Sequence, residues 1–355
     1  MDALANRNMK IKDLVISDDS KAFVIAEIGH NHQGNVEVCK RMFKAAAESG
    51  ATAVKLQKRN NKELFTKEFY ESPYNSENAF GSTYGEHRDA LEFDFETYQE
   101  LKIYAESLGV IFFSTAFDFS SVDFLVNLMV PAIKIASGDL KSIPLLQYAA
   151  STEIPLIVST GGARMSDVCL AYEAIKSTTK TPFAILQCTA AYPAEPEILN
   201  LNVIRTYREN FPDAVIGFSA HDLGIAMGPA AYALGARIFE KHFTLDRSMK
   251  GTDHAFSLEP TGMRKYVRDL DNVSVALGDG IKTPLDIELA PLKKMSKKIV
   301  LSKDVKEGQL ITRDSLEYRS PGDGISPTDL YLIENKSASR DLIKGHTVTL
   351  NDVTS

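Results

Sequence analysis

The chain has 355 residues, of which 44% are hydrophobic and 25% charged, and its formal net charge is −7. This composition is typical of a globular protein with one large domain, or with a large and a small one. The acidic balance argues against a nucleic-acid or membrane partner, and no apolar run reaches the roughly 20 residues of a membrane span.

The cysteines and the first residues point to a cellular location. Three cysteines without CxxC spacing fit a reducing compartment better than a disulfide framework. The initial stretch MDALANRNMKIKDL lacks the apolar core of a signal peptide. We therefore expect a soluble cytoplasmic protein.

Up to residue 282, short β-rich runs alternate with segments of helical periodicity, several of which end in glycine. The runs are FVIAEIG (23–29), TAVKLQ (52–57), VIFFST (110–115), AIKIAS (132–137), PLIVST (155–160), FAILQCT (183–189), AVIGFS (214–219) and ARIFEKHF (236–243). Eight such units predict an α/β fold of the (β/α)8 TIM-barrel type. A doubly wound sheet is the alternative, but it usually has fewer strands, and no GxGxxG follows the first run.

Two other segments break this alternation. Residues 58–109 separate the second and third runs and are rich in Asn, Ser, Tyr and charge, which is typical of a lid or an oligomer contact. After the barrel, residues 283–296 read as a linker and residues 297–355 as short strands and turns. We therefore predict a barrel over 1–282 and a small β-rich domain over 297–355, whose core is thin.

Polar side chains occur where each predicted strand ends. In (β/α)8 enzymes the catalytic residues lie at the C-terminal ends of the strands. In chain order these ends carry Glu27; Lys55 and Gln57; Thr115; Lys134, Ser137 and Asp139; Ser159 and Thr160; Gln187, Thr189 and Tyr192; Ser219 and His221; Glu240 and His242. One polar residue at a strand end is commonplace, whereas a polar residue at all eight ends indicates a functional rim.

Lys55 and Lys134 lie inside apolar strands, where an unpaired ammonium is costly. Three interpretations are open: a buried salt bridge with Glu27 or Glu240, a pair of cations that binds a phosphorylated substrate, or a Schiff-base lysine. We favour the phosphate site, because the serine hydroxyls at neighbouring strand ends add hydrogen-bond donors rather than a nucleophilic apparatus.

His221 and His242 end two strands that are neighbours in such a barrel. Two imidazoles in this position can share one divalent metal, and imidazole suits Mn, Fe, Co or Zn better than Mg. A hydrogen-bonded pair of histidines without metal is the alternative, and the spacing does not decide between them. His30 and His32 resemble a chelating pair in sequence, but they follow the first strand, and we expect both to line the mouth of the barrel.

These residues stand in motifs that resemble the sialic acid synthases. In order, the motifs are AEIGHNHQG, AVKLQ, STAFD, KIASGD, STGG, QCTAAYP, GFSAHDLG, EKHFTLD and KGTDHAFSLEP, and YRSPGDGI resembles the C-terminal antifreeze-like (SAF) domain of that family. The resemblance runs from about residue 20 to residue 353. It implies a (β/α)8 barrel followed by a SAF domain, assembled as a domain-swapped homodimer in which each small domain caps the partner's active site.

The resemblance also implies a reaction. The family condenses phosphoenolpyruvate (PEP) with N-acetylmannosamine or its 6-phosphate, giving N-acetylneuraminate or its 9-phosphate and releasing phosphate. Mannose 6-phosphate and a 2,4-diacetamido sugar are alternative acceptors, which would give Kdn or a legionaminate-type product. A metal-dependent sugar hydrolase or isomerase on the same barrel is a different enzyme class, and a carbohydrate-binding or ice-binding protein leaves the polar rim unexplained.

Carried over by motif, the resemblance assigns a role to each residue. His221 and His242 would hold a divalent metal, expected to be Mn²⁺, with Mg²⁺ or Co²⁺ as alternatives. The catalytic set would be Glu27, Asp139, His221 and His242. PEP would be bound by Lys55, Gln57, Thr115, Lys134, Ser137, Ser159 and Ser219. The sugar would contact Tyr192, Asp253 and Arg319.

The chain departs from the common family pattern at several of these positions. Ala190 replaces an amide residue, Ala220 replaces an Asp before the first metal histidine, and Asp139 replaces a frequent Glu. Ser320 precedes PG where an arginine is common, and Arg319 lies one place earlier, on the opposite face of a strand. The segment TYGEHRDALEF in the long excursion resembles the animal-type branch, whereas RSPGDGI resembles the bacterial one. These departures leave the reaction type in place and bear on the choice of sugar.

Overall fold

In the computed structural model, which describes residues 7–354, eight parallel strands form a closed barrel in which each strand pairs with the next along the chain and the last pairs with the first. We label them β1 Phe23–Gly29, β2 Ala53–Lys58, β3 Ile111–Ala116, β4 Ile133–Ile135, β5 Leu156–Ser159, β6 Ala184–Cys188, β7 Val215–Ala220 and β8 Ile238–His242. All eight coincide with the predicted runs to within two residues at either end. The predicted (β/α)8 fold is therefore confirmed.

Eight helices follow the strands in turn, as the alternation in the sequence predicts. They are α1 Val36–Glu48, α2 Phe95–Ser107, α3 Phe119–Asn127, α4 Ile143–Ser151, α5 Met165–Thr178, α6 Val203–Asn210, α7 Met227–Ala233 and α8 Pro260–Ala276. Several begin at a side chain that accepts a hydrogen bond from the first turn. Asn35 caps α1, Asp94 caps α2 and Asp118 caps α3, and each satisfies a backbone N–H that the helix itself leaves free. None of the described helices is long and apolar enough to cross a bilayer.

The long excursion between β2 and β3 contains local structure that the sequence does not predict. Three short helices, Asn61–Leu64, Lys67–Tyr70 and Tyr84–Asp89, precede α2. The last of them begins with a capping box in which Thr83 and Glu86 exchange side-chain and backbone hydrogen bonds. An antiparallel hairpin, Asn8–Ile11 with Leu14–Ser17, lies before the barrel and was not predicted.

A second compact unit begins at Asp279. It contains a helix, Asp286–Met295, within the segment that the sequence reading treated as a linker. Antiparallel pairs follow, Lys298–Leu301 with Leu316–Arg319 and Ser337–Ala338 with Val353–Thr354. The unit has its own small apolar core, formed by Ile299, Leu301, Val305, Ile311, Leu316, Ile333, Ala338, Leu342 and Val348.

Candidate active site

A cavity of about 780 Å³ opens at the C-terminal ends of the barrel strands. Most of the side chains singled out in the sequence line it. These are Glu27, Lys55, Gln57, Thr115, Lys134, Ser137, Ser159, Tyr192, Ser219, His221, His242 and Asp253. The structure therefore brings together residues that are more than 220 positions apart in the chain.

The strand register explains this convergence. Residues paired across neighbouring strands point to the same side of a sheet. Glu27 is paired with Lys55 on one side and with His242 on the other. In the same way, Thr115 is paired with both Gln57 and Lys134. Each inward position of one strand thus places its side chain beside an inward position of the next.

Lys55 lies at the centre of a buried charge cluster. Its Nζ lies 2.6 Å from Oε2 of Glu27 and 3.8 Å from Oε1 of Glu240, and it donates a 2.7 Å hydrogen bond to the Thr115 hydroxyl. Glu27 Oε1 also accepts a 2.7 Å hydrogen bond from the Gln57 amide. The salt bridge with Glu27 and Glu240 that was left open from the sequence is therefore present at Lys55.

The pKa values of the two carboxylates in this cluster are shifted in opposite directions. Burial raises the pKa of Glu27 to about 7, against the attraction of Lys55. Burial also opposes ionisation of Glu240, but Lys55 and then Lys134 outweigh it and lower its pKa. Glu240 is consequently the ionised partner, and Glu27 is a carboxyl group that exchanges a proton near neutral pH.

Lys134 differs from Lys55 because no carboxylate lies within ion-pair distance of its ammonium among residues 7–354. Its Nζ donates to the carbonyl oxygen of Ile135 at 2.8 Å, and the side chain is 2% exposed. Burial lowers the pKa of Lys134, and Glu240 opposes that shift. An ammonium with unused donors that faces a cavity is suited to an anionic ligand.

Serine hydroxyls line the same cavity as this ammonium. The Ser159 hydroxyl is buried and has no hydrogen-bond partner within the described chain, and Ser137 Oγ accepts a 2.9 Å bond from the Gly161 amide. Gly161 approaches so closely that an added Cβ would lie 2.9 Å from Ser137 Oγ. Free hydroxyl donors and a close backbone approach are features of sites that bind oxyanions.

The two histidines at the ends of β7 and β8 each have a ring nitrogen without a hydrogen-bond partner in the described chain. The His221 Nδ1 lies 2.8 Å from the carbonyl oxygen of Thr189, so Nδ1 carries the proton and Nε2 is left free, as in many metal-binding histidines. The buried Nδ1 of His242 has no hydrogen-bond partner within the described chain. Burial lowers the pKa of His242 to about 4, so its ring is neutral near pH 7.

The ring spacing fits one shared ion. Imidazole nitrogens bind first-row metals at about 2.1 Å, which places the centroids of two rings on one ion roughly 5 Å apart; the centroids of His221 and His242 are 5.5 Å apart. Within residues 7–354, no group of three or more His, Cys, Asp or Glu side chains is arranged to hold a metal. A metal at this pair would therefore keep coordination positions for water and substrate oxygens.

Tyr192 and Asp253 border the same pair of histidines. The Tyr192 ring centroid lies 4.2 Å from that of His221, and the side chain is 56% exposed. The Asp253 Oδ2 lies 3.7 Å from Nδ1 of His242, and its Oδ1 accepts a hydrogen bond from Thr252. A partly exposed phenol and a carboxylate at the rim provide hydrogen-bond groups for a polyhydroxylated ligand.

Three predicted positions are placed differently from the rest. His30 lines the cavity, but His32 is wrong as a mouth residue, because it is buried, its ring stacks on Phe93 at 4.3 Å and its Nδ1 accepts from the Gly34 amide. Asp139 follows two lining residues in a 3-10 turn without lining the cavity itself, and burial raises its pKa to about 6. Arg319 belongs to the C-terminal unit and pairs with Glu317 at 2.7 Å.

Other residues of the cavity were not predicted as site residues. Glu240 was named as a strand end and as a possible salt-bridge partner of the buried lysines, although its two-residue spacing from His242 places both on the inner face of β8. Arg59 and Arg88 lie in the long excursion, and Cys188 ends β6; all three line the cavity. The excursion has no periodicity, so its residues could not be assigned to the cavity from the pattern.

Comparison with known proteins gives concordant family matches. A family model described as the NeuB family matches residues 42–282, and a SAF domain model matches residues 298–354. The chain is 41% identical to N-acetylneuraminate-9-phosphate synthase of Homo sapiens over 88% of each chain. It is 37% identical to N,N'-diacetyllegionaminic acid synthase of Legionella pneumophila, over 92% of this chain and 93% of the relative.

A solved structure agrees with these matches. N-acetylneuraminic acid (sialic acid) synthetase of Leptospira borgpetersenii, crystallised in complex with citrate, superposes with a TM-score of 0.71 at 31% identity. The alignment covers 81% of this chain and 95% of that one. The cavity of the barrel is built from the motif residues, and both family models match the chain in order. The chain therefore belongs to the NeuB family and carries a SAF domain.

Proposed function

We propose that this protein condenses PEP with N-acetylmannosamine or its 6-phosphate, giving N-acetylneuraminate or its 9-phosphate and inorganic phosphate. The observation that carries the proposal is the joint opening of Lys134, an ammonium without a carboxylate partner in the described chain, and of the His221 and His242 imidazoles into one cavity. The similarity to relatives named as synthases of sialic and legionaminic acids supports the same reaction class.

PEP is assigned to the lysine side of the cavity. Its phosphate and carboxylate need cations and neutral donors, which Lys134 and the Ser159 hydroxyl offer without first breaking an ion pair. Lys55 is already shared between two carboxylates, so it contributes positive potential while holding Glu27 in place. Gln57, Thr115, Ser137 and Ser219 complete the PEP-binding set that we propose.

The acceptor sugar is assigned to the histidine side. A divalent ion bound by His221 and His242, in our proposal Mn²⁺, would supply Lewis-acid polarisation of the sugar's carbonyl group. Asp253 would accept hydrogen bonds from sugar hydroxyls, and Tyr192 would cover one face of the open-chain sugar. Glu27, paired in register with His242, would orient the carbonyl end.

The bond changes follow from these positions. The electron pair of the PEP double bond forms a bond from carbon 3 to the aldehyde carbon, and the aldehyde C=O becomes a hydroxyl by taking up a proton. Water adds to the electron-deficient carbon 2 and loses a proton. The bond between carbon 2 and the bridging oxygen then breaks to release phosphate, while the new hydroxyl on carbon 2 gives up its proton and becomes the keto group. Glu27, with a pKa of about 7, is suited to exchange these protons at neutral pH, and Asp139, with a pKa of about 6, is the second candidate.

We further propose a homodimer in which the SAF domain of each subunit caps the other's cavity and Arg319 reaches the sugar. The helix Asp286–Met295 exposes Ile287, Leu289 and Leu292, which are 83%, 54% and 46% exposed, and this supports a second surface that covers them. The free cysteines and the absence of a membrane-spanning helix among the described residues agree with the cytoplasm as the location that we propose.

Phosphate release from PEP tests the reaction. Purified protein is incubated with PEP, Mn²⁺ and each of four acceptors: N-acetylmannosamine, its 6-phosphate, mannose 6-phosphate and a 2,4-diacetamido sugar. We expect acceptor-dependent phosphate release and a nine-carbon product detected by mass spectrometry. Sugar turnover without consumption of PEP would instead assign the cavity to a hydrolase or isomerase.

A further inference from the structure

Two arginines from the long excursion meet on the ring of His30 in the cavity. Arg59 follows β2, and Arg88 lies in the helix Tyr84–Asp89. An Nη1 of Arg59 lies 3.1 Å from Nε2 of His30, and an Nη1 of Arg88 lies 3.3 Å from its Nδ1. The imidazole is therefore held between two guanidinium groups. His30, Arg59 and Arg88 all line the cavity.

This arrangement leaves hydrogen-bond donors unused. Burial, followed by the charges of Arg59 and Arg88, lowers the pKa of His30 well below its usual value, so the ring is neutral. A neutral imidazole has one acceptor nitrogen and one N–H, so it can accept from only one of the two arginines. The other contact joins two donors, and the guanidinium on that side needs an acceptor from elsewhere.

No carboxylate within residues 7–354 forms an ion pair with either guanidinium. Glu92 is paired with Lys58 at 3.0 Å, its Oε2 accepts from the backbone amide of Arg59, and its Oε1 lies 3.8 Å from Nε2 of His30, so it borders the two arginines without an ion pair to either guanidinium. Arg59 otherwise donates to Gln57 and stacks on Phe117 at 3.7 Å, while Arg88 donates to the Tyr84 hydroxyl. Both groups are thus fixed in position by neutral partners, with their charges uncompensated by contact.

A third cation lies at the same end of the cavity. The Lys250 ammonium lies 4.8 Å from the ring centroid of Phe80, a lining residue. Burial, with Arg88 and Lys250 as further causes, lowers the pKa of the neighbouring His87 to about 4, so this ring is neutral near pH 7. Arg59 and Arg88, which line the cavity, together with the exposed Lys250 beside them, are here called the arginine site; they concentrate positive charge, and the two guanidinium groups are held in place.

We propose that the arginine site binds the phosphate monoester of a 6-phosphorylated acceptor sugar. This inference rests on the proposed function and narrows it from two acceptor classes to the phosphorylated one. A guanidinium presents two parallel N–H groups that match two phosphate oxygens, and two such groups suit a dianion.

Asp253 connects the arginine site with the reacting end. Its carboxylate lies 3.7 Å from His242, and Thr252, the residue before it, also lines the cavity. The charges of His242, His30 and Arg88 all act on Asp253 and lower its pKa against the effect of burial. A sugar whose carbonyl meets the histidines and whose hydroxyls meet Asp253 extends its far carbon toward Arg88.

PEP also carries a phosphate monoester, and it is the competing occupant. Its proposed donors, Lys134 and Ser159, belong to β4 and β5, whereas the arginine site is built by the excursion and by the loop after β8. Two groups of phosphate donors that come from different elements of one cavity match a reaction with two phosphorylated substrates. The experiment must therefore follow the two substrates separately.

The test compares Arg88→Ala with wild type, using Arg88→Lys as the conservative variant and Arg264→Ala, an exposed position on α8, as the matched control. Steady-state phosphate release is measured with N-acetylmannosamine and with its 6-phosphate. We expect wild type to prefer the phosphorylated sugar, and Arg88→Ala to lower the ratio of the two kcat/KM values roughly 10- to 100-fold, as the loss of a charge-assisted contact predicts. Arg88→Lys should fall between, and Arg264→Ala should keep the wild-type ratio.

Binding is measured in parallel by calorimetry with N-acetylmannosamine 6-phosphate and without PEP. A roughly 10- to 100-fold weaker affinity in Arg88→Ala supports the arginine site even where no phosphate is released, in which case only the proposed reaction fails. An unchanged affinity and ratio, or a wild-type preference for the unphosphorylated sugar, overturns the inference. A rise in the KM for PEP of the same size, with the acceptor ratio unchanged, would assign the arginines to PEP and also overturn it.

Discussion

Replacing Lys134 by Met separates the two buried lysines by function. Lys134 makes one hydrogen bond to a main-chain carbonyl and has no carboxylate within ion-pair distance in the described chain, so its removal breaks no ion pair, and Glu240 keeps Lys55 as its partner. Met is similar in length and apolar, and we expect the free energy of unfolding to stay the same or to rise. Lys55→Met is the contrast, because it takes the cation away from Glu27 and Glu240 and should cost about 3 kcal/mol.

Although Lys134→Met should not destabilise the protein, we expect it to weaken the binding of PEP. A charge-assisted hydrogen bond contributes roughly 1.5–3 kcal/mol, and a factor of ten in affinity corresponds to about 1.4 kcal/mol. Lys134→Met is therefore expected to raise the KM for PEP roughly 10- to 150-fold. The assay is phosphate release against PEP concentration at saturating acceptor, combined with urea unfolding of both variants. The reasoning is refuted if Lys134→Met destabilises the protein as much as Lys55→Met, or if it leaves the KM for PEP unchanged.

Two further predictions concern the metal site and the C-terminal unit. Mn²⁺ should raise the melting temperature of the wild-type protein, and His242→Ala should abolish that increase while the metal-free melting temperature stays within a few degrees; an equal Mn²⁺ effect in the variant would remove the assignment. In the C-terminal unit, the buried Asp352 accepts from Arg340 at 2.8 Å and lies 2.9 Å from Nε2 of His346. Although burial opposes its ionisation, these partners hold the pKa of Asp352 well below its usual range. A depressed pKa contributes stability that is present above the unfolded value, near 4, and is lost as the pH falls toward the folded value. Asp352→Asn should thus lower the free energy of unfolding of residues 298–354 by roughly 2 kcal/mol at pH 7 and make that free energy less dependent on pH below 4. Hydrogen exchange measures this, with peptides of the barrel as the control. The same loss of stability in acid for wild type and variant would contradict the prediction.

The barrel was predictable because its signal is local and repeated. Runs such as FVIAEIG and AVIGFS are buried on both faces, so each strand appears as a continuous apolar run between helical segments. The polar strand ends were equally visible, because parallel strands of a barrel all end at one rim. The N-terminal hairpin was not, since its strands are four residues long and Leu14 and Val15 are exposed, which removes the alternation.

The arginine site could not be predicted for a different reason. Arg59 and Arg88 are 29 positions apart in a segment without periodicity, and their meeting point, His30, belongs to another loop. Only the path of the excursion, with its capped short helix at Thr83 and its packed aromatic rings, brings them together. His32 shows that a motif can also predict a site residue wrongly. His30, two positions earlier, lines the cavity, while His32 stacks on Phe93 within the protein.

The end of β8 has a consequence for anyone who redesigns this barrel. Glu240 and His242 face the cavity, while Lys241 between them points the other way and is buried in an ion pair with Asp222 at 2.8 Å. A shift of one residue in the pairing of β8 would turn the His242 imidazole away from the cavity and place the Lys241 ammonium in the cavity instead. Three successive ionisable residues thus encode the alignment of the closing strand, and loop grafts on either side of it must preserve its length.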